Sequence, residues 1–342
     1  MRVIWLFLLL VFGWAMVANG QNDAQACEEA YLRKLGNNTD SDSMRIHLGY
    51  FGCLANANPD MAREALLAFM QRPTVKASPA VLHDAKVHLG AVYVNQTRFD
   101  EALLLFSEVY EWAKTTNNHY RMSLARMNAG IIHRKRSVFG SSMEAYVQAL
   151  YHAREADHQA LVATILQNMG SLANSTGQYE QAKSYLRESM AIHTSLKNER
   201  GKAGALANLG ISLKLQGKTD SAVVFYAEAA KAFQQLNDKV NQAKMHSNIG
   251  QLYMATGDDA EALRQLNLAI DMMEEQKNYN DLVNTLNAKT KLLIKQEAYK
   301  AAIATAKRSI FLAEQQGYLV GAQNAYDYLS EAQAGNDQNE EA

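Results

Sequence analysis

From about residue 44 onward, apolar positions return every three or four residues along almost the whole chain, the spacing of one buried face of an α-helix. A longer period lies above it. Asn128-Ala129-Gly130, Asn168-Met169-Gly170, Asn208-Leu209-Gly210 and Asn248-Ile249-Gly250 stand 40 residues apart, and His88-Leu89-Gly90 extends the series backwards. With glycine as reference, one column reads Gly90, Gly130, Gly170, Gly210, Gly250 and then Thr290. Seven residues on comes a turn column of Thr97, Ser137, Gly177, Gly217, Gly257 and Glu297. Twelve on it reads Ala102, Ser142, Ala182, Ala222, Ala262 and Ala302, and sixteen on Phe106, Tyr146, Leu186, Tyr226, Leu266 and Ala306. Self-similarity at such a period marks stacked helical repeats, in which each unit packs only on its neighbours. The small columns belong where two helices cross closely.

The register predicts six regular hairpins within residues 81–318, at about 81–118, 121–158, 161–198, 201–238, 241–278 and 281–317. Residues 21–80 form an irregular entry that holds all three prolines. Its predicted helices run from Ala24 to Leu35, from Met44 to Leu54 and from Pro59 to Met70, and His47-Leu48-Gly49 echoes the repeat with a slight slip. Residues 319–334 fit one capping helix, as the end of a stack requires. The polar, acidic residues 335–342 are expected to be disordered.

The address is read at the N-terminus. Arg2 precedes an apolar run from Val3 to Ala18, and Ala18-Asn19-Gly20 offers a small-residue cleavage site, so residues 1–20 read as a secretory signal. The chain is then expected to be exported, to a periplasm or outside the cell; the alternative is an uncleaved N-terminal membrane anchor. No later segment is apolar enough to cross a membrane, so the mature chain is expected to be soluble, without membrane insertion. In an exported chain Cys27 and Cys53 favour a disulfide, worth about 3–4 kcal/mol in the chain-entropy model, with two small buried hydrophobes as the alternative. The formal net charge of −1 gives no reason to expect nucleic acid as a partner.

The columns carrying Leu209, Gly210, Ala222, Tyr226 and Ala229 resemble the tetratricopeptide repeat, in a long variant of about 40 residues similar to that of bacterial regulators and kinesin light chains. The resemblance covers about residues 44–334. It implies an all-α fold, a right-handed α-solenoid of antiparallel helix hairpins whose first helices line the concave face. The chain departs from the pattern at Ala288 and Thr290, where Asn and Gly stand elsewhere, and at Ser142, where Ala does.

In several members of this family the Asn position of the first helix holds the backbone of an extended peptide, which the resemblance carries onto Asn128, Asn168, Asn208 and Asn248. An amide offers two donors and an acceptor, enough to hold a peptide group without reading its side chain. The other reading is that each Asn bonds a neighbouring helix and stiffens the array. One turn beyond the glycines the register projects Val94, Arg134, Asn174, Lys214, Met254 and Ile294 into the groove, with Lys135 beside Arg134. Arg134, Lys135 and Lys214 then either attract a carboxylate-bearing segment or form a solvated face. No catalytic motif, metal-ligand spacing or cofactor fingerprint appears in the sequence. The expectation is a non-enzymatic scaffold, without cofactor or metal, holding a peptide or protein segment in its groove. The alternatives are a signalling component that acts through a separate partner, and a structural scaffold of an envelope complex.

Overall fold

In the computed structural model of the protein the described residues are Cys27, 49–55 and 58–341, and their regular structure is all helical. The signal at residues 1–20 and the helix expected from Ala24 to Leu35 lie outside them, Cys27 excepted. The molecule divides into two units, one ending at Asp157 and one beginning at His158. In the first, a helical segment at 49–55 precedes α1 (Pro59–Gln71), the short α2 (Pro73–Lys76) and the hairpins α3 (Pro79–Asn95)/α4 (Phe99–Thr115) and α5 (His119–Lys135)/α6 (Phe139–Glu155). The second stacks α7 (Gln159–Ser175)/α8 (Tyr179–Ser195), α9 (Glu199–Leu215)/α10 (Thr219–Gln235), α11 (Lys239–Thr256)/α12 (Asp259–Glu275) and α13 (Tyr279–Lys295)/α14 (Tyr299–Gln315). It ends on α15 (Leu319–Glu341).

What makes the stack regular is the connection between helices. From Thr97 to Gly317 a residue with left-handed φ recurs every 20 positions. After α3 the Thr97 N–H donates to the Val94 carbonyl (3.2 Å) and the Arg98 N–H to that of Tyr93 (2.8 Å), the pair of bonds that closes a Schellman cap. Four of these positions are glycine (Gly177, Gly217, Gly257, Gly317); the rest, such as Asn117, Lys197 and Glu297, adopt the same conformation with a side chain. The 40-residue repeat is therefore two backbone half-repeats of equal length. Only one of the two turn columns shows in the sequence, because glycine marks it most often.

The glycine column sets how closely the two helices of a hairpin approach. A Cβ built on Gly90, Gly130, Gly170, Gly210 or Gly250 would come within 2.6–2.8 Å of Phe106, Tyr146, Leu186, Tyr226 or Leu266 respectively. Each large side chain lies flat on a glycine backbone and is fully buried, at 0–1% exposure. The last hairpin inverts the pair. Thr290 stands in the glycine column and Ala306 in the ring column, both with no exposed surface; the Thr290 hydroxyl donates to the Leu286 carbonyl (2.9 Å). The departure at Thr290 is thus a size exchange across one contact. Ser142 is accommodated as simply, its buried hydroxyl donating to the Gly130 carbonyl (2.8 Å).

A second close contact joins a first helix to a second helix 26 residues on. Its pairs are Ser123/Ala149, Ala163/Ser189, Ala203/Ala229, Ala243/Ala269 and Val283/Ser309, all fully buried. Where one member is serine, its hydroxyl reaches the other's carbonyl: Ser123 donates to Ala149 (2.8 Å) and Ser189 to Ala163 (2.7 Å), while Ser309 shares its one proton between Val283 (3.3 Å) and the closer Asn287 Oδ1 (2.6 Å). A serine here adds a helix–helix hydrogen bond at almost no volume, so no polar group is left unsatisfied.

Two local features complete the core of the second unit. His193 is 3% exposed with neither ring nitrogen hydrogen-bonded, and it fills space left by Gly201, where a Cβ would meet the ring at 2.4 Å. Burial lowers its pKa. α15 is longer than the cap expected at 319–334, and it corrects the disordered tail expected at 335–342: the helix runs on to Glu341. Gly335 lies against the Tyr299 ring, 2.3 Å from where its Cβ would be. The helix is therefore packed through that point, and no proline follows to end it.

Two outcomes follow from these contacts. Gly210→Thr should cost about 1–3 kcal/mol by overpacking and Tyr226→Ala about 3–5 kcal/mol. The double variant recreates the Thr290/Ala306 pair, so in chemical denaturation its loss should fall short of the summed losses by at least about 1 kcal/mol; strict additivity would contradict the size exchange. The His193 pKa is lower folded than unfolded. Above about pH 6.5 the ring is neutral in both states. As pH falls below that value the unfolded chain takes up the proton first, and stability is lost until the folded pKa is reached. His193→Met, the residue that stands two register steps on at Met273, should therefore show a smaller fall in Tm between pH 7.5 and pH 5 than the parent. An equal fall in both would clear His193 of the effect.

Candidate functional site

The ladder asparagines sit two residues before the glycine of their helix, which is about 200° round the helix axis. The glycine faces its hairpin partner, so the asparagine faces away from the hairpin, and all four are half-buried. Asn128 belongs to the first unit; Asn168, Asn208 and Asn248 line up in the second. The Asn128 amide donates to the Leu124 carbonyl (2.8 Å) and that of Asn208 to Gly204 (3.0 Å), each one turn back in its own helix. Asn168 and Asn248 have no hydrogen-bond partner among the described residues. Among the described residues none of the four amides ties its helix to a neighbour.

Other amides do that work. Asn174, which the register projects into the groove, is instead 6% exposed. Its Nδ2 donates to the Asn208 carbonyl (3.3 Å), and its Oδ1 accepts from the Ser212 hydroxyl (2.7 Å). Asn287 likewise donates to the next first-helix position, at the Gly321 carbonyl of α15 (3.0 Å), but accepts from Ser309 on α14 of its own hairpin (2.6 Å). Both stitch one first helix to the next.

The basic positions divide. In the first unit Arg134 is half-buried beside Tyr146, whose phenol burial pushes up in pKa and the Arg134 charge pulls part-way back; its Nε is buried without a partner. Lys135 is exposed. In the second unit Lys214 reaches the Gln251 Oε1 (3.4 Å). It has no carboxylate partner among the described residues, and burial lowers its pKa.

Gln251 leads into the groove proper. On the first-helix face of the second unit a cleft of about 280 Å³ contains Lys244, Asn248, Gln251 and Asn284. A larger one of about 610 Å³ shares Gln251 and Asn284 and runs across α11, α13 and α15. Its apolar lining is Met254, Ala255, Ala288 and Ile294; its polar lining includes Lys291, Asn324, Tyr328 and Glu331. Asn284 and Asn324 are exposed amides that reading the Asn-x-Gly motif overlooks. They stand four residues before the ladder column, where Thr164, Gly204 and Lys244 precede them; only alignment of that column exposes the pattern.

Four of the histidines are engaged in packing or hydrogen bonds. His83 stacks on Trp112 at 4.2 Å with its Nδ1 2.7 Å from the Pro79 carbonyl, His119 and His152 face each other through Nδ1 (3.1 Å), and His246 pairs with Gln265 (2.7 Å). Among the described residues no three His, Cys, Asp or Glu side chains converge as a metal site. Cys27 and Cys53 are joined in a disulfide, Cα to Cα 5.9 Å.

Comparison with known proteins agrees with this architecture. Tetratricopeptide repeat models match residues 161–235 and 243–275. Response regulator aspartate phosphatase J of Bacillus subtilis (strain 168) is 26% identical over 154 residues, 45% of this chain; the match spans only 40% of that relative's length. The structure of a Rap protein complexed with Competence and Sporulation Factor superposes with a TM-score of 0.60 at 16% identity, covering 87% of this chain and 90% of that one. The Rap conjugation gene regulator of the plasmid pLS20, in complex with the Phr* peptide, gives 0.56 at 12% identity over 93% and 95%. At these identities the structural likeness is one of fold. Repeat models, helix register and solved neighbours coincide: tetratricopeptide repeats run through residues 161–235 and 243–275, and the described helices on either side keep the same register.

Proposed function

We propose that the protein is a non-enzymatic scaffold that holds an extended peptide or protein segment along the first-helix face of its second unit. The observation that carries this reading is the state of Asn168, Asn208 and Asn248. They are in phase, half-exposed, and bonded to no neighbouring helix, so their amide groups are available to a peptide backbone. The groove shared by Gln251 and Asn284 lies on the same face. Rap relatives solved with a signalling factor or peptide bound support the same use of the fold.

Export is part of the proposal. It is supported by the apolar run from Val3 to Ala18 and by the Cys27–Cys53 disulfide, a bond that persists in oxidising compartments. A second reading, a signalling component acting through a separate partner, draws on the name of the response-regulator phosphatase relative.

The test is a peptide array of random extended sequences probed with the protein. The retained peptides are then titrated by fluorescence anisotropy. Each backbone-gripping amide is worth about 0.5–1.5 kcal/mol, so changing Asn168, Asn208 and Asn248 together to Ala should weaken binding by about ten- to a thousand-fold, with helicity and Tm unchanged. Undiminished binding by the triple variant would remove the ladder from the site. A large fall in Tm would make the three residues structural.

A further inference from the structure

The ladder stops at the last hairpin, and the groove changes character where it stops. Continuing the column of Asn168, Asn208 and Asn248 gives Ala288 and then Tyr328. Both line the larger cleft, and around them lie Met254, Ala255 and Ile294. Exchanging Asn for Ala at this register removes a polar head from the floor and leaves an apolar recess of side-chain size. The amides are displaced to its edge. Asn284 accepts from the Tyr318 hydroxyl through Oδ1 (3.0 Å), which leaves its NH2 group to donate, and Asn324 has no partner among the described residues.

The charges of this wall also divide. Lys244 is paired with Asp281 (3.0 Å) and Lys295 with Asp259 (2.7 Å). Lys291 on α13 and Glu331 on α15 line the same cleft at equivalent register, 40 residues apart. Neither has an ion-pair partner among the described residues. First helices of packed neighbours lie about 8–10 Å apart, the reach of about three extended residues. A ligand crossing the recess therefore meets one uncompensated cation on one helix and one uncompensated anion on the next.

Resting on the peptide-binding reading above, we propose that this recess is the specificity pocket of the site. It takes an apolar side chain of the bound segment, of Leu, Ile or Met size, flanked within about three residues by an acidic group held at Lys291 and a basic group held at Glu331. The ladder grips the backbone without regard to sequence; the pocket supplies the preference.

The same array of random peptides separates the two levels. Peptides retained by the parent should be enriched in an apolar residue with an acidic and a basic neighbour. Ala288→Asn restores the ladder residue and fills the floor. It should keep binding peptides overall, lose the apolar enrichment, and weaken the best apolar-anchored peptide by about tenfold, the scale of burying part of one such side chain. Lys291→Glu should abolish the acidic preference and leave the apolar one. Circular dichroism melts confirm that both variants fold. If the parent shows no apolar enrichment, or Ala288→Asn retains it, the pocket is overturned while the ladder reading stands. If no peptide is retained, or the triple ladder variant binds as the parent does, the underlying reading fails and the pocket with it.

Discussion

The close approach of a glycine backbone and a large buried side chain within each hairpin is the constraint on which the rest depends. Gly210 beneath Tyr226, and Gly170 beneath Leu186, let two helices approach so nearly that a single added Cβ would collide. That contact fixes which face of each first helix turns inward. The opposite face is fixed by the same choice, and on it stand Asn168, Asn208 and Asn248. Position relative to glycine, more than any property of asparagine, makes the ladder a surface feature.

The stack tolerates variation where volume and hydrogen bonding are conserved as pairs. Thr290 appears with Ala306, Gly201 with His193, and a serine on either side of the 26-residue contact finds the carbonyl opposite. Each exchange preserves the helix spacing and leaves the core filled, as close-packed interiors require. The His193 ring enters its exchange without a hydrogen bond, and it adds a further cost at acidic pH, where the unfolded chain can bind a proton that the folded core resists.

Much of this was legible in the sequence because a repeat writes the same constraint several times. The glycine, alanine and ring columns gave the hairpins, and the Asn-x-Gly motif gave the exposed amides. Three things were not legible. The second turn column, Asn117, Asp157, Lys197, Asn237 and Lys277, hides because these residues adopt left-handed φ without glycine to announce it. Asn174 was misplaced because register gives a direction and not a depth, and a short amide can fold back between helices where Lys214 extends. The tail past Ala334 was misread from composition, which does not register the Gly335–Tyr299 contact. At the groove, Asn284 and Asn324 lay outside the motif although their column was in view.

On the proposed function the ladder amides receive a peptide backbone and the buried amides do not. Side-chain amide NMR tests this most directly, with the Asn NH2 resonances of the protein followed as an array-selected peptide is added. Saturable shifts and slowed exchange are expected for Asn168, Asn208 and Asn248, with Asn174 and Asn287 held in their existing bonds and unchanged. Shifts confined to the second helices, with the three ladder amides silent at saturation, would contradict it.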